Sequence, residues 1–166
     1  ITRDGDKVIK NGTIIIKENR MEAIGAASEI IIPNDAMIYD MEGKTIMPGI
    51  VDVHWHGPQA QNEIVPRENW KNLASLAFGV TTVHDPSNDT SEIFAASEMA
   101  KAGEIVAPRI YSTGRIIYGA KASIFAEVNN LDDARKHVKR MKAAGAFSVK
   151  SYNQPRRDQR QQIMQA

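Results

Sequence analysis

The chain has 166 residues, 42% of them hydrophobic and 25% charged, with a formal net charge of +1. That is the composition of a globular protein with a sizeable core. It gives no reason to expect nucleic acid or an acidic membrane surface as a partner. No apolar run approaches the roughly 18 residues of a membrane span. Cysteine is absent, which excludes disulfides and thiolate ligands. A metal ion would have to be held by His, Asp, Glu or a modified side chain. The sequence begins at Ile1, already inside strand-like residues, and is expected to be a processed or excised piece of a longer protein.

Residues 1–48 read as a run of short strands. Asn11-Gly12 is a hairpin signal, with apolar stretches at 7–9 and 13–16 on either side. A second turn is expected at 18–20, followed by strands at 21–24, 30–32, 36–39 and 44–46, together a small β-layer with a structural role. From Gly49 the rhythm becomes strand, loop, helix. A strand at 50–55 precedes a helix at 67–78, whose inward stripe would be Trp70, Leu73, Ala74 and Ala77, with Gly79 just past its end. A second strand at 80–84 leads to a helix capped by Asp89 or Thr90 and stopped by Gly103, with Ile93, Ala96, Met99 and Ala100 inward.

A third strand is expected at 109–113. Asn130 precedes a third helix with Asp132 and Asp133 in its first turn, complementing the helix dipole. Its stripe is Leu131, Ala134, Val138 and Met141, and His137 falls on the solvated face. A fourth strand is expected at 146–152, and Pro155 would stand at the first position of a fourth helix. Arg156, Arg157 and Arg160 read as the exposed start of that helix. Strands 30 to 40 residues apart with helices between them imply βαβ crossovers and a parallel sheet. The spacing predicts an α/β fold, the first four βα units of a TIM-type (β/α)8 barrel, which when complete needs roughly 250 residues. An open doubly wound sheet is the alternative. No Gly-x-Gly-x-x-Gly follows the first strand, so a dinucleotide site is not indicated.

The residues that suggest chemistry fall at predicted strand ends. In Val51-Asp52-Val53-His54-Trp55-His56-Gly57, residues two apart share a face, so Asp52, His54 and His56 point one way and Val51, Val53 and Trp55 the other. Two imidazoles aimed at one point suit zinc or a related ion. Asp52 would fix the strand or orient a ligand. The second strand ends at His84-Asp85, candidates for a supporting or substrate role, or else a polar turn. On the fourth, Ala146, Ser148 and Lys150 would point inward, with Phe147 and Val149 outward. An inward lysine is costly unless paired or neutral, and it can also snorkel to solvent. A neutral amine can take up carbon dioxide as a carbamate, an anionic ligand able to bridge two ions. Tyr152 and Asn153 follow it, placed either to reach a substrate or to serve only as loop residues.

These stretches resemble the amidohydrolase superfamily: Met47-Pro48-Gly49-Ile50-Val51-Asp52-Val53-His54-Trp55-His56, then Gly79-Val80-Thr81-Thr82-Val83, then Ser148-Val149-Lys150. A closer likeness is to bacterial members with a TolB-type β-propeller upstream, carried by His54-Trp55-His56-Gly57, His84-Asp85-Pro86-Ser87-Asn88-Asp89-Thr90 and Lys150-Ser151-Tyr152-Asn153-Gln154-Pro155. The resemblance implies that 1–48 is part of a β-sandwich domain and 49–166 the N-terminal half of a metal-dependent hydrolase barrel. It implies His54 and His56 on one divalent ion, zinc being the first choice, with Lys150 as carbamate bridging to a second. The remaining ligands and the proton-shuttling Asp would lie beyond Ala166. The implied reaction is cleavage of amide, cyclic amide or peptide C–N bonds in a small-molecule or peptide substrate by metal-activated water. The sequence does not identify the compartment, bacterial cytoplasm and periplasm both being open. Two other readings stay open: a structural piece that self-associates through exposed strand edges, and a barrel lyase or isomerase that reuses the metal pair.

Overall fold

A computed structural model of the chain describes residues 8–120, 122 and 125–166. The chain divides into two compact units, Ile1–Pro48 and Gly49–Ala166.

In the first unit, β1 (Gly12–Lys17) and β2 (Arg20–Ala26) form an antiparallel hairpin. The connecting residues Glu18 and Asn19 have φ of 46° and 66°, the positive pair that a two-residue type I′ turn requires. The turn lies at Lys10-Asn11 and Gly12 already opens β1, so the signal feeds one strand and does not join two; the carbonyl of Asn11 accepts from the Ala27 N–H at 2.9 Å. Val8 and Ile9 lie outside any strand, and Lys7 is outside the described residues. The expected strands at 30–32, 36–39 and 44–46 are absent. A strand exists only where a neighbour takes up its backbone groups, and here the backbone makes local turns instead, Ala36 N to Pro33 O and Lys44 N to Met41 O. Ile31, Met37, Ile38 and Tyr39 are accordingly exposed.

The second unit is mixed α/β. Strands β3 (Ile50–Asp52), β4 (Val80–Asp85) and β5 (Arg109–Ser112) form a parallel sheet in that order, and β6 (Ile117–Tyr118) and β7 (Ser151–Tyr152) a parallel pair. The helices are α1 (Trp70–Ala77), α2 (Thr90–Ala102), α3 (Leu131–Ala143) and α4 (Arg157–Gln165). One core joins Val83, Ile93, Ala96, Ile105 and Ile110, with Trp55 packed on it; a second joins Ile117, Val128, Ala134 and Ile163.

Two strands are shorter than expected. The chain turns at Val53-His54, yet it still follows β4, because the Trp55 N–H donates to His84 O at 3.1 Å. Val51 and Val53, on the apolar face opposite the histidines, are exposed. The fourth expected strand is reduced to β7, because its partner β6 is only two residues long. Lys150 thus precedes the strand, its carbonyl accepting from the Ile117 N–H at 2.9 Å.

The helix caps follow local chemistry. Asp89 accepts from the N–H groups of Ser91 and Glu92, and Asn130 accepts from that of Asp133. Gly103 ends α2 at φ 76°, in the left-handed region. Hydrogen bonding by the Ser91 hydroxyl, with the two backbone donors and the nearby Arg115, holds the Asp89 carboxyl below its usual range against a partial burial penalty. Two faces depart from expectation. In α1 it is Asn72 that is buried, while Trp70 is 72% exposed. The two amides of Asn72 and Gln59 bond reciprocally, each at 3.0 Å. In α3, His137 is buried, not solvated. Its Nδ1 lies 2.9 Å from an Arg140 guanidinium nitrogen. Burial, with a contribution from the Arg140 charge, lowers its pKa despite the opposing contact with Arg115 O. Pro155 lies ahead of the α4 cap, Arg156, whose N–H donates to Gln159 Oε1 at 3.2 Å.

Candidate metal centre

Because β3, β4 and β5 are parallel, their C-terminal ends share one edge of the sheet. His54 and His56 lie just past the end of β3, on that edge. The Asp52 carboxylate accepts from the His54 N–H at 3.0 Å and so shapes the turn that carries the pair. The two rings stand edge to face with centroids 5.0 Å apart. Two imidazoles on one tetrahedral ion at about 2.1 Å would place their centroids roughly 5 Å apart. The donor chemistry and the spacing of this pair therefore fit half of a zinc-type centre.

Behind His56 stands Asp85, the last residue of β4, 1% exposed. Its Oδ1 lies 3.4 Å from His56 Nδ1. The carboxylate also accepts from the Ser87 N–H at 2.9 Å and from Asn88 Nδ2 at 2.8 Å. Asn88 Nδ2 reaches the carbonyl of Gly57 as well, at 3.2 Å, tying the loop after His56 to the end of β4. Gly57 is pressed against Trp55 so closely that a Cβ there would stand 1.9 Å from the indole ring.

His84, one residue earlier on β4, faces elsewhere. Its Nε2 lies 3.0 Å from Ser148 Oγ, and its ring packs edge to face on Phe147, which also meets Tyr111. Ser148 precedes Lys150 by two residues. Lys150 is half-buried, with Nζ 5.2 Å from the centre of the Tyr152 ring. Tyr152 in turn lies against Tyr118, and Tyr118 against Phe125.

The candidates thus form two groups. Asp52, His54, His56 and Asp85 gather at the end of β3 and β4, and Lys150 and Tyr152 form an aromatic-lined group at β7. His84 links β4 to the segment leading to Lys150. Among the described residues no set of three His, Asp or Glu side chains stands ready to hold a metal ion. Asn88 and Gly57 were given no such role from the sequence, whereas Ser148, expected on the inward face with Lys150, meets His84. Ser87-Asn88 read as turn residues, and nothing in a turn signal says which chain the side chains will reach. A pocket of about 180 Å³ opens beside α1, lined by residues such as Pro58, Gln59, Trp70 and Lys71, and none of the predicted ligands lines it.

No family model matches the chain. It is 30% identical over 105 residues to a dihydroorotase of Desulfotalea psychrophila, a match covering 58% of this chain and 24% of the relative. It is 32% identical over 78 residues to an enamidase of Eubacterium barkeri, covering 46% of this chain and 20% of the relative. The chain thus spans about a quarter or less of these relatives' length. Among solved structures, a Bifidobacterium longum protein assigned as a prolidase shares its fold over 94% of this chain and 41% of that one, with a TM-score of 0.74 at 23% identity. Neither the two relatives nor this structure is named for a β-propeller, and the propeller-linked likeness gains no support from them. The motif at Pro48 to His56 lies at the sheet edge, and the chain is similar over part of its length to proteins named as a dihydroorotase and an enamidase.

Proposed function

We propose that this chain is the N-terminal part of a metal-dependent amidohydrolase acting on C–N bonds, with 49–166 forming the first half of a (β/α)8 barrel and 1–48 part of a β-sandwich. The observation that carries the reading is the His54–His56 pair, rings 5.0 Å apart, with a buried carboxylate behind the second. Relatives named for cyclic amide and amine substrates, dihydroorotase and adenine deaminase among them, support C–N chemistry. In this reading His54 and His56 hold a divalent ion, zinc by the chemistry of the donors. Such an ion supplies water activation and carbonyl polarisation.

The chain's own residues then have distinct tasks. Asp52 holds the backbone of His54 in its turn. Lys150 would become an anionic ligand after carboxylation, in place of the cation that now lies over Tyr152. His84 sets the position of the Lys150 segment through Ser148. Tyr118, Phe125 and Tyr152 present aromatic surface to a small-molecule or peptide substrate. The rest of the ligand set belongs to residues beyond this chain, so this stretch alone would be inactive.

The test is metal content and turnover of a full-length parent, compared with His54→Ala and His56→Ala. Loss of bound metal together with loss of amide or cyclic amide hydrolysis is expected. A parent that binds no divalent ion, or that keeps its activity in both variants, sinks the reading. The exposed Val51, Val53 and Phe147 also favour a second reading, self-association of the isolated chain. Sedimentation of the 166-residue chain as a monomer at all concentrations would remove it.

A further inference from the structure

A neutral imidazole binds a metal through whichever nitrogen lacks the proton, so a His ligand works only in the right tautomer. Nothing in the sequence decides that tautomer for His56. The structure does contain a group able to decide it. Asp85 is buried to 1% exposure at the end of β4, and its Oδ1 faces His56 Nδ1 at 3.4 Å. This carboxylate has no freedom to turn away. Ser87 N–H and Asn88 Nδ2 hold its two oxygens, and Asn88 in turn holds Gly57 O in the loop that follows His56. The two structures that must stay in register, the β3 exit and the β4 end, are further joined by the bond from Trp55 N–H to His84 O. An acceptor fixed in this way, facing only one ring nitrogen, favours the proton on Nδ1 and leaves the Nε2 lone pair free.

We infer that Asp85 is a positioning residue that fixes His56 as the Nδ1–H tautomer and so aims Nε2 at the ion; this rests on the metal reading of the His54–His56 pair. The 3.4 Å separation is longer than an ordinary N–H···O bond, as hydrogen bonds within unliganded sites often are. Carboxylates behind ligating histidines characteristically raise metal affinity by 10–100-fold.

The test is a long-range 1H–15N correlation spectrum of the metal-free, 15N-labelled 166-residue chain, recorded where the ring nitrogen shifts report the neutral imidazole. The His56 signals are assigned by their loss in His56→Gln. The wild type is expected to show the Nδ1–H form, and Asp85→Ala to revert to the Nε2–H form that free imidazole prefers. Zinc titration is expected to show affinity weakened by about 10–100-fold in Asp85→Ala. An Nε2–H wild type overturns the inference, as does an Nδ1–H form retained in a folded Asp85→Ala. If that variant fails to fold, the wild-type spectrum decides by itself. Zinc affinity that is indifferent to both His54→Ala and His56→Ala would refute the metal reading while leaving the tautomer result standing, so the two failures are distinct.

Discussion

Gly57→Ala is a single-methyl test of how the His54–His56 loop is held. A Cβ at position 57 would lie 1.9, 2.2 and 2.6 Å from three atoms of the Trp55 ring. Carbon atoms rest at about 3.5–4.0 Å, so the ring or the loop must give way by roughly 1.5 Å. The ring has little room, since Trp55 packs on the core of Val83, Ile93 and Ile110. The loop has little either, since Asn88 holds Gly57 O and Asp85 faces His56. Overpacking of this kind costs about 1–3 kcal/mol. For a chain of this size that is a drop in melting temperature of about 2–4 °C per kcal/mol, or up to about 12 °C. Thermal unfolding followed by circular dichroism measures it. Tryptophan emission gives an independent view, because Trp70 is already exposed and any red shift reports Trp55. A variant with the melting temperature and emission of the wild type would refute the reasoning, since it would mean that Gly57 and Trp55 do not meet as described.

Asn72→Ala strands the buried Gln59 amide and should cost about 1–3 kcal/mol in urea unfolding, whereas Gln59→Leu with Asn72→Leu together should cost much less. His137 has a lowered folded pKa, so the unfolded chain binds more protons below the ordinary value of about 6.5. Its contribution is therefore intact above that pH and is lost as pH falls toward the folded value, at up to about 1.4 kcal/mol per pH unit. His137→Gln should flatten that part of the stability profile measured by denaturant titration from neutral to mildly acidic pH. Asp89→Ala removes the acceptor for Ser91 and Glu92 and the partner of Arg115, and should lower stability by about 0.5–2 kcal/mol, with the first turn of α2 losing amide protection in hydrogen exchange.

What could be read from the sequence was what a few neighbouring residues settle among themselves. Asp89, Gly103 and Asn130 bound their helices as expected, because a cap is a contract between residues two or three apart. The edge that gathers His54, His56, His84 and Asp85 was also legible, since strand–helix alternation forces parallel strands to end together. What failed depended on a partner elsewhere. The stripe of α1 named an apolar face, but an apolar face is buried only if something lies against it, and Gln59 lies against Asn72 instead. His137 was placed in solvent because its helix neighbours are charged, yet Arg115 O and the α3 packing bury it. The strands expected in 27–48 had the right side chains and no ladder to join. β6 was missed for the converse reason: two residues carry no periodicity, and only their pairing with Ser151 and Tyr152 makes them a strand.

The same distinction explains why the end of β4 matters more than its residues suggested. His84 and Asp85 are consecutive, so on a strand they leave in opposite directions. One reaches Ser148, two residues ahead of Lys150, and the other reaches His56. A single strand end is thereby in contact with both groups of proposed ligands, through side chains that are not themselves ligands. β3 ends before His54 and β7 begins after Lys150, so each segment is placed by a single backbone bond, Trp55 N–H to His84 O and Ile117 N–H to Lys150 O, with side chains adding the rest. The proposed site therefore draws on the β4 end for its geometry as well as on the segments that carry its candidate ligands.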